Sequence, residues 1–294
     1  MRMLDRSAPK RITPSAGIRA LVTHGRPVAV FTSIEGSLVD PRTFNSEPNR
    51  RMLSRLARAG VPLVPVTVMT LGEIEPIVND LPIVEVMIIE AGGAIARRVA
   101  GEWSVEPCGA PADALLGVIA QIEERSGASL LVYSVLPDAD AAAISGRTGE
   151  MLRGSTRRFF SEPFVIERGD VGKVTRAAAS IGYSVRRGPR FLHLCRICDE
   201  GTAFERVKQD LACDVTIAVG TSPIDAEFLR RAEIPVIVPG PEGVDQELLR
   251  LVPNGRVALA PAPAGWTTGI RLALHELSRN RQRGIGKVND ACVE

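Results

Sequence analysis

Apolar positions along the chain fall into two alternating rhythms. Val28-Ala-Val-Phe-Thr32 is a continuous apolar run of strand length, and continuity in so short a segment marks a strand covered on both faces. A loop rich in Gly, Asp and Pro follows. Met52, Leu53, Leu56 and Ala57 then share one face of a helix predicted over Pro48 to Ala59, with arginines on the other. Gly60 stands where a helix C-terminal glycine belongs, and Val61 to Thr67 is the next apolar run. A shorter helix (Leu71 to Val78) and a third run (Glu85 to Ile89) complete three strand–helix units of a parallel sheet.

From about Arg97 to Gly188 the rhythm changes. Helical patterns at Ala112 to Arg125 and Asp170 to Ile181 are mixed with strand-like pieces at Leu130 to Ser134 and Tyr183 to Arg187. This reads as an inserted α+β unit. The first rhythm then resumes: helix Gly201 to Leu211, strand Val215 to Val219, helix Ile224 to Arg231, strand Ile234 to Val238 and a last helix from about Thr267 to Ser278. The expected organisation is a Rossmann-like α/β core over 27–96 and 189–294, an inserted α+β cap over 97–188, and a flexible basic leader over 1–26.

Composition narrows the function classes. The 36 basic and 34 acidic residues among 294 give a formal charge of +2, without the basic excess of a dedicated nucleic-acid binder. No stretch approaches the roughly 18 apolar residues of a membrane span, and the N-terminus lacks the apolar core of a secretory signal. The five cysteines, 108, 195, 198, 213 and 292, are odd in number and scattered, as free thiols in a reducing cytosol would be. The expected protein is cytoplasmic, with neither a membrane nor a nucleic acid as partner.

In open α/β sheets, ligands bind beyond the carboxyl ends of the strands. The loops there carry an ordered series. Phe31-Thr-Ser-Ile-Glu-Gly-Ser-Leu38 resembles the first motif of the haloacid dehalogenase superfamily, D-x-D-G-T/S-L; Thr67 ends the second strand as that family's second-motif Ser or Thr does; Gly220-Thr-Ser-Pro-Ile-Asp225 resembles its fourth motif, G-D-S-x-N-D. Four further stretches resemble the mannosyl-3-phosphoglycerate phosphatases within that superfamily: Glu90-Ala-Gly-Gly-Ala-Ile95 (E-N-G-G-A-I), Arg158-Phe-Phe-Ser-Glu-Pro-Phe164 (an Arg before S-E-P-F), Gly188-Pro-Arg-Phe-Leu-His-Leu194 (R-F-x-H-L) and Ala264-Gly-Trp266 (P-E-G-W). The resemblance runs from about Val28 to Leu277.

The resemblance implies roles, and the residues depart from them. The nucleophile position, an Asp in the family, is Ser33; the acid/base position is Glu35, one methylene longer than Asp. The third-motif Lys falls at Glu200, which replaces a phosphate-stabilising charge by a repelling one, with Arg196 or Lys208 as possible compensation. A metal carboxylate position is Thr221, the usual Asn is Ile224, and Asp225 alone remains to touch Mg²⁺. Thr67 is either a phosphate contact or a strand-end hydroxyl bound to local backbone. Gly92 and Gly93 read as turn formers beside a ligand, while Arg158 and Glu162 are either recognition groups facing the core across the cleft or a solvated ion pair. His193-x-Cys195-x-x-Cys198 has the spacing of a zinc half-site, with Cys213 at the start of another strand; the family carries the histidine without zinc. Trp103 and Trp266 read as packing residues.

The sequence therefore implies a degenerate phosphatase without ordinary turnover. It would bind a phosphorylated or carboxylated small molecule, or a protein partner, with no cofactor expected and Mg²⁺ only if the site is active. An altered enzyme using Glu35 and Asp225, and a pure interaction module in a biosynthetic pathway, are the alternatives. Bulky closure of the cleft by Ile224 and Met69 would favour the last.

Overall fold

The computed structural model describes residues 27–290 apart from 80, 82, 109–110, 112–113, 189 and 197–199. The basic leader, Cys198, Asp199 and Cys292 lie outside the described residues. Strands β1 (Val28–Thr32), β2 (Leu63–Pro65), β10 (Val215–Gly220), β11 (Ile234–Ile237) and β12 (Arg256–Val257) form a parallel sheet in the order β12-β11-β10-β1-β2. Every residue of β1 is buried, because alternate side chains feed two different cores. Val28 and Val30 pack with Met52, Leu53 and Leu56 of α1 (Arg50–Arg58) and with Trp266 and Ile270 of α10 (Ala264–Asp290). Ala29 and Phe31 pack on the other face with Phe204 and Val207 of α7 (Glu200–Asp210) and Phe228 and Leu229 of α8 (Ala226–Arg231). The Phe31 and Phe204 rings stand 4.2 Å apart. Two apolar faces explain the unbroken apolar run.

The third run behaves differently from expectation. After α2 (Leu71–Val78), β3 (Val86–Ile89) touches the parallel sheet through one bridge, Val66 to Ile88, and otherwise pairs antiparallel with β4 (Ala94–Val99), which pairs with β5 (Glu102–Pro107). Three successive residues with positive φ, Glu90 (49°), Ala91 (57°) and Gly92 (86°), reverse the chain there. The expected boundary after residue 96 therefore cuts a hairpin.

The inserted unit holds an antiparallel sheet ordered β6-β7-β9-β8, from β6 (Ser129–Val132), β7 (Ser161–Arg168), β8 (Tyr183–Arg187) and β9 (Leu192–Arg196). Helices α3 (Leu115–Ser126) and α6 (Val171–Ser180) cover one face, burying Phe164 and Leu194. The boundary expected at 188 also cuts this sheet, since β9 beyond it pairs with both β7 and β8. Two short helices that the apolar pattern did not signal, α4 (Asp138–Ser145) and α5 (Gly149–Thr156), sit between this sheet and the core. The last helix of the core half-sheet before β12 is α9 (Gln246–Leu251). Among the described residues no helix is long and apolar enough to cross a membrane.

The two units meet backbone to backbone at two glycines. A Cβ on Gly154 of α5 would lie 2.7 Å from the Gly72 carbonyl carbon of α2, and Thr70 Oγ1 donates to the Gly154 carbonyl oxygen at 2.9 Å. Backbone cannot yield there as a flexible side chain can. Gly154→Ala should push α5 off α2 and cost about 1–3 kcal/mol of stability, as overpacking does. Thermal melting checks this, and an unchanged melting temperature would show that the two helices separate freely.

Candidate functional site

The carboxyl ends of β1, β2 and β10 converge as parallel topology requires, but their polar groups turn inward on the backbone. Ser33 Oγ donates to Ser37 Oγ at 2.9 Å, and Ser37 Oγ donates to the Ser33 carbonyl oxygen. Thr67 Oγ1 accepts from Met69 N–H at 3.1 Å. Thr221 Oγ1 donates to the Val238 carbonyl oxygen at 3.1 Å. Trp266 does more than pack: its Nε1 donates to Thr32 Oγ1 at 2.9 Å.

Asp225 Oδ2 accepts from Thr221 N–H (2.8 Å), Ser222 N–H (2.9 Å) and Ser222 Oγ (3.3 Å), which closes the turn before α8. Burial pushes its carboxyl up to about 6, and the bonds from Thr221, Ser222 and Ser33 only partly oppose this. Glu200 opens α7 and is buried; the Arg231 side chain lies against the adjacent Gly201. Lys208 is two turns further along and binds Glu233 Oε1 at 2.6 Å, so it does not compensate for Glu200. The Arg196 side chain lies outside the described residues.

Between the two units lies a buried charge network. Glu35 meets Arg147 Nη2 at 3.2 Å and Arg190 Nε at 3.0 Å. Glu73 meets Arg147 Nε at 2.7 Å and Arg158 Nη1 at 3.3 Å. The 3.0 Å and 2.7 Å approaches are charge contacts rather than aligned hydrogen bonds. Glu90 accepts from the backbone N–H groups of Phe159, Phe160 and Ser161 at 2.9–3.1 Å, and Arg158 Nε stands 4.0 Å from it. Burial raises the Glu35 carboxyl above its ordinary value, against the lowering pull of Arg147 and Arg190. Burial likewise opposes the Arg147 charge, and Glu73 and Glu35 outweigh it.

Arg158 thus faces the core, as the recognition reading requires, but its guanidinium is spent: it also donates to the Val68 carbonyl oxygen and to Ser161 Oγ at 2.8 Å. The solvated-pair alternative fails as well, since its side chain is 3% exposed. Glu162 does not face the cleft. It shares the face of Phe164, accepts from Ser134 N–H (3.0 Å) and Oγ (2.7 Å), and belongs to the inserted unit's own packing. Gly92 supplies the left-handed turn, whereas Gly93 serves close approach: a Cβ there would fall 2.3 Å from Phe160 Cβ.

The space left is small. Glu35, Glu73, Arg147, Arg158, Arg190 and His193 line a cavity of about 20 Å³, room for roughly one water. Fully buried His193 has no hydrogen-bond partner at Nδ1; burial, then Arg158 and Arg147, hold it well below its ordinary value and therefore neutral. Beside the cavity, Ile224 packs with Val68, Ala91 and Cys195, and Met69 is fully buried, so apolar side chains seal the cleft. Arg147, Glu73 and Arg190 carried no assigned role in the sequence. Glu73 was legible only as the third helical residue after Thr70, whose N–H it accepts in a capping box. Arg190 lies within the R-F-x-H-L stretch, and Arg147 carries no local signal.

A Rossmann-like sheet interrupted by an α+β cap, with its polar loops at the strand ends, is the fold of the haloacid dehalogenase-type phosphatases. Within that class the chain is similar to a glucosyl-3-phosphoglycerate/mannosyl-3-phosphoglycerate phosphatase of Methanococcoides burtonii, 27% identical over 262 residues that cover 82% of this chain and 95% of the relative. A protein of the same name from Persephonella marina is 25% identical, over 86% of this chain and 99% of its own. No family model matches the chain. Among solved structures, a phosphatase of the haloalkanoate (HAD) enzyme superfamily from Bacteroides thetaiotaomicron aligns with a TM-score of 0.64 at 15% identity, covering 90% of this chain and 99% of that one. The sucrose-phosphatase of Synechocystis aligns with a TM-score of 0.61 at 13% identity, over 86% and 98%.

Phosphatases of this class generally use Mg²⁺, which requires hard, mostly anionic oxygen ligands. The residues here do not fit it. Positions 33 and 221 supply neutral hydroxyls already bound to the chain, Asp225 spends one oxygen on three donors, and Glu35 is held by two guanidiniums. Zinc fares no better on the described part of its half-site: Cys195 Sγ pairs with Ser184 Oγ, His193 is flanked by arginines, and burial pushes the Cys213 thiol up to about 12. Among the described residues no cluster of three His, Cys, Asp or Glu is placed to hold a metal.

Asp225 yields a pH prediction. Its folded value of about 6 lies above the ordinary 3.8, so the folded state binds its proton more tightly than the unfolded chain. Its contribution to stability is fully present below about pH 4 and is lost as pH rises through 6. Asp225→Asn keeps the acceptor and removes the titration. Wild type should therefore gain stability relative to the variant on going from pH 7 to pH 4, by on the order of 2–3 kcal/mol. Denaturant unfolding at both pH values checks it, and a constant difference would show that the carboxyl titrates normally.

Proposed function

We propose that this chain is a phosphatase homologue that does not hydrolyse phosphate esters by the phosphatases' route and acts by binding. The observation that carries the reading is the state of Glu35: the acid/base position is clamped between Arg147 and Arg190, beneath a nucleophile position occupied by Ser33. Proton shuttling needs a carboxylate free to reach the leaving group, and a serine hydroxyl needs a base to become a nucleophile. The donor set for Mg²⁺ has lost its carboxylate at 221, and the stabilising Lys is Glu200. Phosphoryl transfer rests almost wholly on positioning and electrostatics, so these changes act on one catalytic unit.

The ligand class follows from what is retained. The named relatives act on phosphorylated sugar acids, and three cap arginines remain turned toward the strand ends. A phosphorylated or carboxylated small molecule in an opened cleft is the occupant this supports. A second reading, an interaction module with the cleft unused, is favoured by the apolar seal of Ile224, Val68, Ala91 and Cys195. We place the protein in the cytosol, supported by the thiols of Cys195 and Cys213, which form no disulfide.

Purified protein should show no appreciable Mg²⁺-dependent hydrolysis of mannosyl-3-phosphoglycerate or an aryl phosphate. Turnover of about one per second, within the ordinary range for enzymes, and abolished by Asp225→Ala, would instead establish an altered active site. Ser33→Asp alone should leave the protein inactive, because Glu200 still opposes the phosphate and Glu35 stays clamped. Robust turnover from that single change would overturn the placement of Glu200 at the Lys position.

A further inference from the structure

Glu73 is not one of the phosphatase motif residues, yet it occupies the centre of the cap's cationic site. One carboxylate oxygen meets Arg147 Nε at 2.7 Å, and the other meets Arg158 Nη1 at 3.3 Å while accepting Thr70 N–H at 2.8 Å. It comes from the core, on the first turn of α2, whereas both arginines come from the inserted unit. Beside it, neutral His193 lines the same cavity and has no hydrogen-bond partner at Nδ1. Two guanidiniums and an imidazole around a carboxylate are what an oxyanion site looks like when filled.

We propose that Glu73 is a tethered anion that autoinhibits this site, and that a dianionic oxyanion displaces it from Arg147 and Arg158 and releases the cap. The proposal deepens the binding function inferred above and rests on it. Three features support displacement over a permanent structural pair. Glu73 has a second home, since the Thr70 N–H and the helix N-terminus keep it satisfied once the arginines leave. The exchange is balanced only by a ligand that offers oxygens to both guanidiniums and to Nδ1, as a phosphate monoester does. The present cavity of about 20 Å³ has room for roughly one water and not for such a ligand, so entry requires Glu73 and the arginines to move apart. Cys195 reports that event, being 2% exposed in the seal between the units.

The test uses the full chain, inorganic phosphate as probe and no metal. Glu73→Gln keeps the capping acceptor and removes the competing charge. It should bind phosphate roughly tenfold or more tightly than wild type in calorimetry, and Arg158→Gln added to it should remove that gain. Saturating phosphate should also raise alkylation of Cys195 in wild type, followed by mass spectrometry of its peptide. If Glu73→Gln melts in buffer, Glu73→Asp keeps the cap of α2 but falls short of both guanidiniums, and must show the same gain. Equal or weaker phosphate affinity in the folded variant, or binding that leaves Cys195 protected, overturns the proposal. Phosphate-ester turnover would sink the non-hydrolysing reading instead, so the two failures are distinguishable.

Discussion

The structure turns on the requirement that buried charge be neutralised. Glu35, Glu73 and Glu90 of the core and Arg147 and Arg158 of the inserted unit are brought together out of solvent, with the partly exposed Arg190 at their edge, three charges of each sign. Desolvating any one alone costs several kcal/mol, and removing one partner of such a set typically costs about 3–5 kcal/mol. No member can leave singly without exposing that cost in its partners. The network therefore sets how the inserted unit sits, down to the contact of Gly72 with Gly154 and the anchoring of Phe159 to Ser161 on Glu90. It is a source of specific docking more than of net stability.

The same logic explains what became of the phosphatase positions. A phosphate and a metal present charges that the strand-end residues of this fold would ordinarily satisfy. With neutral Ser33 and Thr221 in place, the hydroxyls find backbone or each other, and Asp225 finds the N–H groups of its own turn. Glu35 is the exception because its charge needs a cation, and Arg147 and Arg190 supply two. The site has not decayed into a void. The Ser33, Thr221 and Asp225 groups have been re-satisfied internally, as buried polar groups generally are, while His193 Nδ1 is left without a partner.

Local pattern made much of this legible. Alternation of two cores across Val28–Thr32 is visible as a continuous apolar run, and α1 and α2 fall where the apolar spacing put helices. What was not legible depends on chain reversal or on long range. Glu90 and Ala91 take left-handed conformations that non-glycine residues rarely adopt, so nothing announced that β3 turns into an antiparallel hairpin. Both expected boundaries fall inside a sheet, because strand pairing is set by long-range partners and not by the change of rhythm. Arg158 and Glu162 were read together from one motif, yet Arg158 turns to Glu73 while Glu162, on the opposite face of β7 from Ser161, turns to Ser134. Arg147 lies 112 positions from Glu35, and no local signal spans that distance.

The central claim is that Glu73 and Arg147 are energetically coupled across the two units. A double-mutant cycle with Glu73→Gln, Arg147→Gln and the double variant, measured by denaturant unfolding, tests it directly. A buried pair that holds the units together should show a coupling of about 2 kcal/mol or more, against the few tenths usual for independent sites. Additive effects of the two substitutions would contradict the account and leave the network as a coincidence of packing.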